Sequence, residues 1–204
     1  MPIRVAVACA ALAAVVLPAP PAAAVDHGSR ACRVVVTIPA IDVRRGLTHY
    51  VGSPDDGPGT RIQDTGTLAS PVGARGGVKA GEIGNFFIAG HRNSGGGPLL
   101  RIRELRRGDV VTIRERCDDD VDTTFTYTLK AGPRYIDFFT ARGRAAQIAP
   151  VPMRPGRVPV QPMLTISTCA TQEDKRRGDV RRDRHGNPPG RWVVVGVLTQ
   201  TVPN

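Results

Sequence analysis

Beyond residue 31 this chain is built from short runs of β-branched and apolar residues, each closed off by glycine, proline or aspartate. They are CRVVVTIPAIDV from Cys32, NFFIAG from Asn85, VVTIRER from Val110, TTFTYTL from Thr123, MLTIST from Met163 and WVVVGVLT from Trp192. Runs of this length, alternating or wholly apolar and bounded by turn residues, read as strands. The 23 glycines and 18 prolines supply the punctuation. VVTIRER and TTFTYTL both alternate, and the acidic run 118–120 between them reads as a hairpin loop. Another extended stretch is expected at 135–139, whereas 52–84 has many glycines and prolines and reads as loop. Helical signals are sparse. Leu99, Ile102 and Leu105 recur at helical spacing before Gly108, and a helical turn is expected over 140–148. Seven or eight short strands with one or two helical turns and no internal repeat predict an all-β barrel or sandwich.

The first residues bear on compartment. A short basic start, the 13-residue apolar run 5–17, prolines at 18, 20 and 21, and Ala22-Ala23-Ala24 form the pattern of a cleavable secretory signal. The run is shorter than the roughly 18–20 residues of a membrane span. The expected organisation is a signal over 1–24, a polar connector over 25–31 and one domain over 32–202, exported to the extracellular face, wall-associated or secreted. Removing the signal removes Cys9 and leaves Cys32, Cys117 and Cys169, an odd number in an oxidising compartment. Cys32 opens the first strand and Cys117 lies at the hairpin edge, so these two are expected to pair, two buried thiols being the alternative. Cys169 is then the leftover thiol.

Charge narrows the partners. With 28 Lys+Arg against 18 Asp+Glu the net charge is +10, which favours association with polyanions or simply a solvated basic surface. Five Phe, three Tyr and one Trp are too few for a base-stacking face, so no nucleic-acid partner is expected. Six Lys/Arg fall between 175 and 184. That loop is the expected contact for an anionic wall polymer or lipid, a flexible solvated loop being the plainer reading. Asp118, Asp119, Asp120 and Asp122 lack the glycine-containing spacing of a calcium loop and read as a solvated turn. His91 with Cys169 would still need two more zinc ligands, and His27, His49 and His185 have no ligand spacing, so no metal site is expected.

Two residues stand where strands end, His91 after NFFIAG and Cys169 after MLTIST. Reactive groups are commonly mounted at such points, where a rigid scaffold meets solvent. A cysteine nucleophile needs a thiolate, which a nearby imidazolium or guanidinium favours. Arg191, opening the last strand after Gly-Asn-Pro-Pro-Gly, could donate hydrogen bonds to a developing oxyanion if the last two strands are neighbours. On spacing alone a cysteine ending an apolar strand also fits a small core residue, and His91 is equally open.

In order, the chain carries Ile38-Pro39-Ala40-Ile41, then Gly81-Glu82-Ile83-Gly84-Asn85, then Gly90-His91-Arg92. A Pro-Leu-Leu to Leu-Arg-Arg-Gly-Asp segment, Thr165-Ile166-Ser167-Thr168-Cys169 and Arg191 follow. This sequence of motifs resembles the sortases, class E-like ones among them, over about residues 34–198. The resemblance implies an eight-stranded β-barrel with one or two short helices, a monomer, and a cysteine transpeptidase without cofactor. Cys169 would attack the Thr-Gly carbonyl of an LPxTG- or LAxTG-like sorting signal, His91 would serve as general acid and then base, and Arg191 would stabilise the oxyanion. The acceptor implied is a wall-precursor amine or a pilin lysine. The chain departs from the family pattern in Ile166 where leucine is usual, in the long basic loop 170–190, which offers Arg177, Arg181, Arg182 and Arg184 as rivals to Arg191, and in an N-terminus that reads as cleavable. The non-enzymatic alternative is a barrel module binding wall polymer or nucleic acid with Cys169 in its core. A different cysteine peptidase or amidase fits less well, because no papain-like phrase surrounds Cys169.

Overall fold

The structure, a computed structural model, describes residues 32–54, 56–74, 76–118, 121–183 and 186–204. The expected signal and connector, with Cys9 and His27, lie outside these residues, as do Asp119, Asp120, Arg184 and His185. Strand β1 (Cys32–Ile38) turns through a 3-10 helix at Pro39–Ile41 into β2 (Val43–Val51), its antiparallel partner. Helix α1 (Gly57–Asp64) and β3 (Leu68–Val72) follow, and then β4 (Gly84–Ala89). The hairpin of β5 (Val110–Cys117) and β6 (Asp122–Leu129) leads to β7 (Arg134–Asp137) and α2 (Ala141–Ile148). The chain finishes with β8 (Pro162–Cys169), α3 (Thr171–Arg176) and β9 (Gly190–Pro203).

The sheet order β6-β5-β1-β2-β3-β4-β8-β9 returns to its start because β9 also pairs with β6, which closes a barrel of eight strands. Of the two all-β architectures left open by the strand pattern, this is the one that the family resemblance implies. Closure leaves these strands without a free edge along the barrel. β7 is an addition. It pairs with the first residues of β9, opposite Trp192 and Arg191, while residues from Gly196 onward pair with β6.

Alternation sets the core. Val34, Val36 and Ile38 of β1 and Val111 and Ile113 of β5 point inward and meet Phe86, Ile88, Leu164, Ile166 and Val194. Every residue of β4 is buried, because that strand is covered on both faces. Its inner face joins the core, and on its outer face Asn85 donates to the carbonyls of Gln147 and Ala149 at 2.9 and 3.0 Å. Ser167 of β8 donates to the Gln147 side chain at 2.8 Å, so the end of α2 roofs the neighbouring strands β4 and β8. An uninterrupted apolar run is what such double burial requires.

Cys32 and Cys117 face each other in the β1–β5 ladder and form a disulfide. The loop expected over 52–84 instead holds α1 and β3. Asp56 caps α1 by accepting from the Gly59 N–H at 3.0 Å, with Pro58 in the first turn. Over 98–109 only a 3-10 turn at Ile102–Glu104 forms. Leu99, Ile102 and Leu105 are fully buried there, and their spacing of three suits three residues per turn better than 3.6. With α3, unforeseen in a polar segment, the described residues contain three short α-helices rather than one or two. In the hairpin turn Asp122 is held by Arg114 and Arg116.

Candidate active site

β4 and β8 run parallel, with Ala89 beside Ser167, so the two strands end at the same rim of the barrel. His91 follows β4 after a single residue, and Cys169 is the last residue of β8. The ends are tied to each other. The Thr168 hydroxyl donates to the Gly90 carbonyl at 2.6 Å, and the Gly90 N–H donates to the Ser167 carbonyl at 3.3 Å. Glycine fits the close packing here, since a Cβ at position 90 would lie 2.6 Å from Leu68 Cδ2 and 3.0 Å from Leu99 Cδ1 and would push those buried side chains aside. β9 runs antiparallel to β8 and starts at this rim, with Arg191 directly opposite Cys169. Side chains of directly opposed residues project from the same face of the sheet with Cβ atoms about 5 Å apart. The structure thus brings His91, Cys169 and Arg191 to one rim.

The Cys169 side chain is half-buried, whereas Thr168 and Ala170 on either side of it are 3% and 0% exposed. This partial exposure differs from the full burial expected of a thiol sealed in the barrel core. Arg191 is 1% exposed. Its Nη1 donates to the carbonyls of Pro188 and Gly190, and the guanidinium lies 5.0 Å from the centre of the Phe138 ring. Those contacts lock the long side chain, which removes an entropy cost from any later hydrogen bonding. The His91 ring, 15% exposed, sets Nε2 2.8 Å from Oδ1 of Asp64 at the end of α1. Asp64 went unrecognised in the sequence because it sits in the glycine- and proline-rich stretch read as loop.

Behind the rim lies a second layer of charge. Arg92, next to His91, makes a buried ion pair with Glu173 of α3, two residues beyond the start of that helix, and Arg103 and Arg176 reach the same carboxylate at 3.2 Å each. Burial works to raise the Glu173 carboxyl, but hydrogen bonds from Arg92 and from the backbone hold it below its ordinary value. Asp174, fully buried, accepts from the Tyr135 hydroxyl at 2.6 Å and from the Gly190 N–H at 3.0 Å. Desolvation, then the bond to Asp174, pushes the Tyr135 hydroxyl up to about 12. α3 is therefore fastened to β7 and to the start of β9, on the Arg191 side of the Cys169–Arg191 pair.

The three described rival arginines are engaged elsewhere. Arg177 stacks 4.0 Å over the Tyr135 ring, and Arg181 binds Asp137 at 2.9 Å and Asp179 at 2.6 Å. Arg182 donates to the Arg181 carbonyl, and none of the three stands opposite Cys169 in a ladder. A thiol, an imidazole and a guanidinium converging on one rim are suited to acyl transfer: nucleophile, proton carrier and oxyanion donor.

Comparison with known proteins bears on the fold and the family. Among solved structures the fold is similar to sortase E from Streptomyces avermitilis, with TM-score 0.58 and 24% identity over 83% of this chain and 89% of that one. It is also similar to sortase E1 from Streptomyces coelicolor, solved with a tripeptide in the active site, with TM-score 0.56 and 20% identity over 84% and 90%. The SrtA sortase of Actinomyces oris gives TM-score 0.56 and 18% identity over 85% and 82%. No curated protein sequence matches the chain. The family model described as the sortase domain matches residues 36–197, nearly all of the described barrel, and the chain therefore belongs to the sortase family.

Proposed function

We propose that this sortase is an exported transpeptidase that cleaves an LPxTG- or LAxTG-like sorting signal between Thr and Gly and transfers the new acyl end to an amine on the cell wall or on a pilin. The Cys169 thiolate adds to the Thr carbonyl carbon, and Arg191, helped by the backbone, donates to the oxyanion. His91 gives its proton to the leaving Gly amine as the C–N bond breaks, which leaves a thioester on Cys169. The neutral imidazole then takes a proton from the incoming amine, whose nitrogen displaces the sulfur. Asp64, with Oδ1 2.8 Å from His91 Nε2, holds the orientation of the imidazole ring.

The observation that carries this reading is the Cys169–Arg191 register, joined to His91 through the Thr168–Gly90 hydrogen bond. The tripeptide in the active site of the Streptomyces coelicolor enzyme supports a peptide as the ligand of the corresponding region.

Intact-mass analysis after incubation with LPxTG and LAxTG peptides tests it. The expected result is a thioacyl adduct on the protein and a Gly-terminated product with at least one peptide. Both disappear in Cys169→Ala, and Arg191→Ala and His91→Ala slow their formation by on the order of 100-fold or more. An adduct that persists in Cys169→Ala, or no cleavage of either peptide, overturns the proposal.

A further inference from the structure

We propose that the outer face of β1, β2 and β5 binds a linear phosphodiester polymer without bases, of the polyol-phosphate type. Five arginines, Arg33, Arg44, Arg45, Arg114 and Arg116, line a shallow groove of about 510 Å³ on this face. Asp122 is the acidic residue bonded at its border, shared between Arg114 and Arg116 at 2.9 and 3.2 Å. Arg33 and Arg44 have no carboxylate partner among the described residues. The ladder also sets Arg33 directly opposite Arg116. Like charges so placed repel each other across a sheet, yet the adjoining Cys32–Cys117 disulfide fixes the register that holds them together. An anion lying between them relieves that repulsion.

The lining points to the chemistry of the occupant. Val35, Gly46 and threonines such as Thr37 and Thr112 form the floor, and threonine hydroxyls donate to phosphate oxygens. No aromatic residue lines the groove to stack a base, which disfavours nucleic acid. None of the exposed large apolar side chains lines the groove, so it offers nothing to insert into a bilayer, which disfavours a lipid surface. Arg44 stands opposite Thr37, four residues along β1 from Arg33. At about 3.4 Å per residue and 4.8 Å between strands the two arginines are about 14 Å apart, a span that calls for several phosphates in a row rather than one ion. In the closed sheet β1 lies four strands from β8 in either direction, opposite the strand that carries Cys169. A polymer held there leaves the catalytic rim open.

The test is equilibrium binding of end-labelled poly(glycerol phosphate) to the disulfide-intact full chain. Binding is expected at low ionic strength and weakens as salt is added. Arg33→Gln/Arg44→Gln weakens it about tenfold, while Lys175→Gln/Arg182→Gln in the loop after Cys169 changes it less than about twofold. The inference is overturned by no binding at low ionic strength, by an equal loss in the loop variant, or by binding to phosphatidylglycerol vesicles or single-stranded DNA as tight as to the polymer. Peptide adduct formation by Arg33→Gln/Arg44→Gln is expected to equal that of the parent protein, so the fate of this inference and that of the transpeptidase reading are read from separate assays.

Discussion

Two arginine-rich regions sit on opposite sides of the barrel, and they use the same residue in opposite ways. Beside Cys169, Arg92, Arg103 and Arg176 converge on Glu173, Arg177 stacks on Tyr135, and Arg181 is held by Asp137 and Asp179. On the outer face of β1, β2 and β5 the guanidinium groups stand in a groove with one bonded carboxylate between two of them. The first set is structural, binding α3 and the following loop to the rim. The second is displayed. A net charge of +10 cannot separate these roles, because the difference lies in which carboxylates the fold delivers.

The contrast is sharpest at Glu173. Glu173→Gln leaves Arg92 buried without its countercharge, and breaking a buried pair in this way costs about 3–5 kcal/mol. For a domain of this size that is a fall in Tm of roughly 10 °C, and the thioacyl rate falls with it as α3 loosens beside Cys169. Thermal melting and intact-mass kinetics read the two effects. Arg92→Met/Glu173→Met, which removes both charges, is expected to recover most of the lost Tm. The lowered Glu173 carboxyl also sets a direction with pH. Its contribution is present above the usual carboxylate range and is lost as pH falls through its own lower value, so the acid limb of the stability curve flattens in Glu173→Gln.

Tyr135 gives an intermediate effect. Tyr135→Phe keeps the edge-to-face contact with Trp192, but removes one of the two described donors to buried Asp174. The expected cost is about 1–2 kcal/mol. Because the hydroxyl is pushed up to about 12 in the fold, folding favours its neutral form. The stability it adds is therefore full below the ordinary tyrosine value near 10 and is lost as pH rises from there toward 12. Melting curves across that window are expected to fall more steeply for the parent than for Tyr135→Phe. Tyr127, also raised to about 12 by burial, remains to give the variant a residual slope.

How far the sequence could be read follows the same division between apolar pattern and charge pairing. β4, β8, β9 and the β5–β6 hairpin were legible because an apolar run or a strict alternation is dictated by burial alone. β2, VRRGLTHYV, was not, since its arginines and central glycine hide a strand that exists by pairing with β1 and β3. α1 and β3 were masked by Gly57, Pro58, Gly59 and Pro71, residues of poor intrinsic propensity held by a cap and by neighbouring strands. α3 shows no apolar stripe, because what it buries is Glu173 and Asp174, each satisfied by groups distant in sequence. Cys169, His91 and Arg191 were visible as motif residues at strand ends. Asp64 and Arg92–Glu173 were not, because carboxylate partners 27 and 81 residues away leave no local trace.

The smallest expected effect is the one that most directly tests the division between structural and displayed arginines. Arg33 is exposed, lies opposite Arg116 and has no acidic partner among the described residues. Arg33→Thr places a β-branched residue on an outward strand position and removes one of two facing like charges. Its Tm is expected to stay within about 1–2 °C of the parent, with the sign toward stabilisation. That gain should be present at low salt and vanish when added salt screens the pair, since the interaction removed is a surface repulsion. Melting the two proteins side by side at low and high ionic strength measures it. A loss of several degrees at both salts would make Arg33 a structural residue like Arg92, and the groove on β1, β2 and β5 would then lose one of the two arginines that have no carboxylate partner among the described residues.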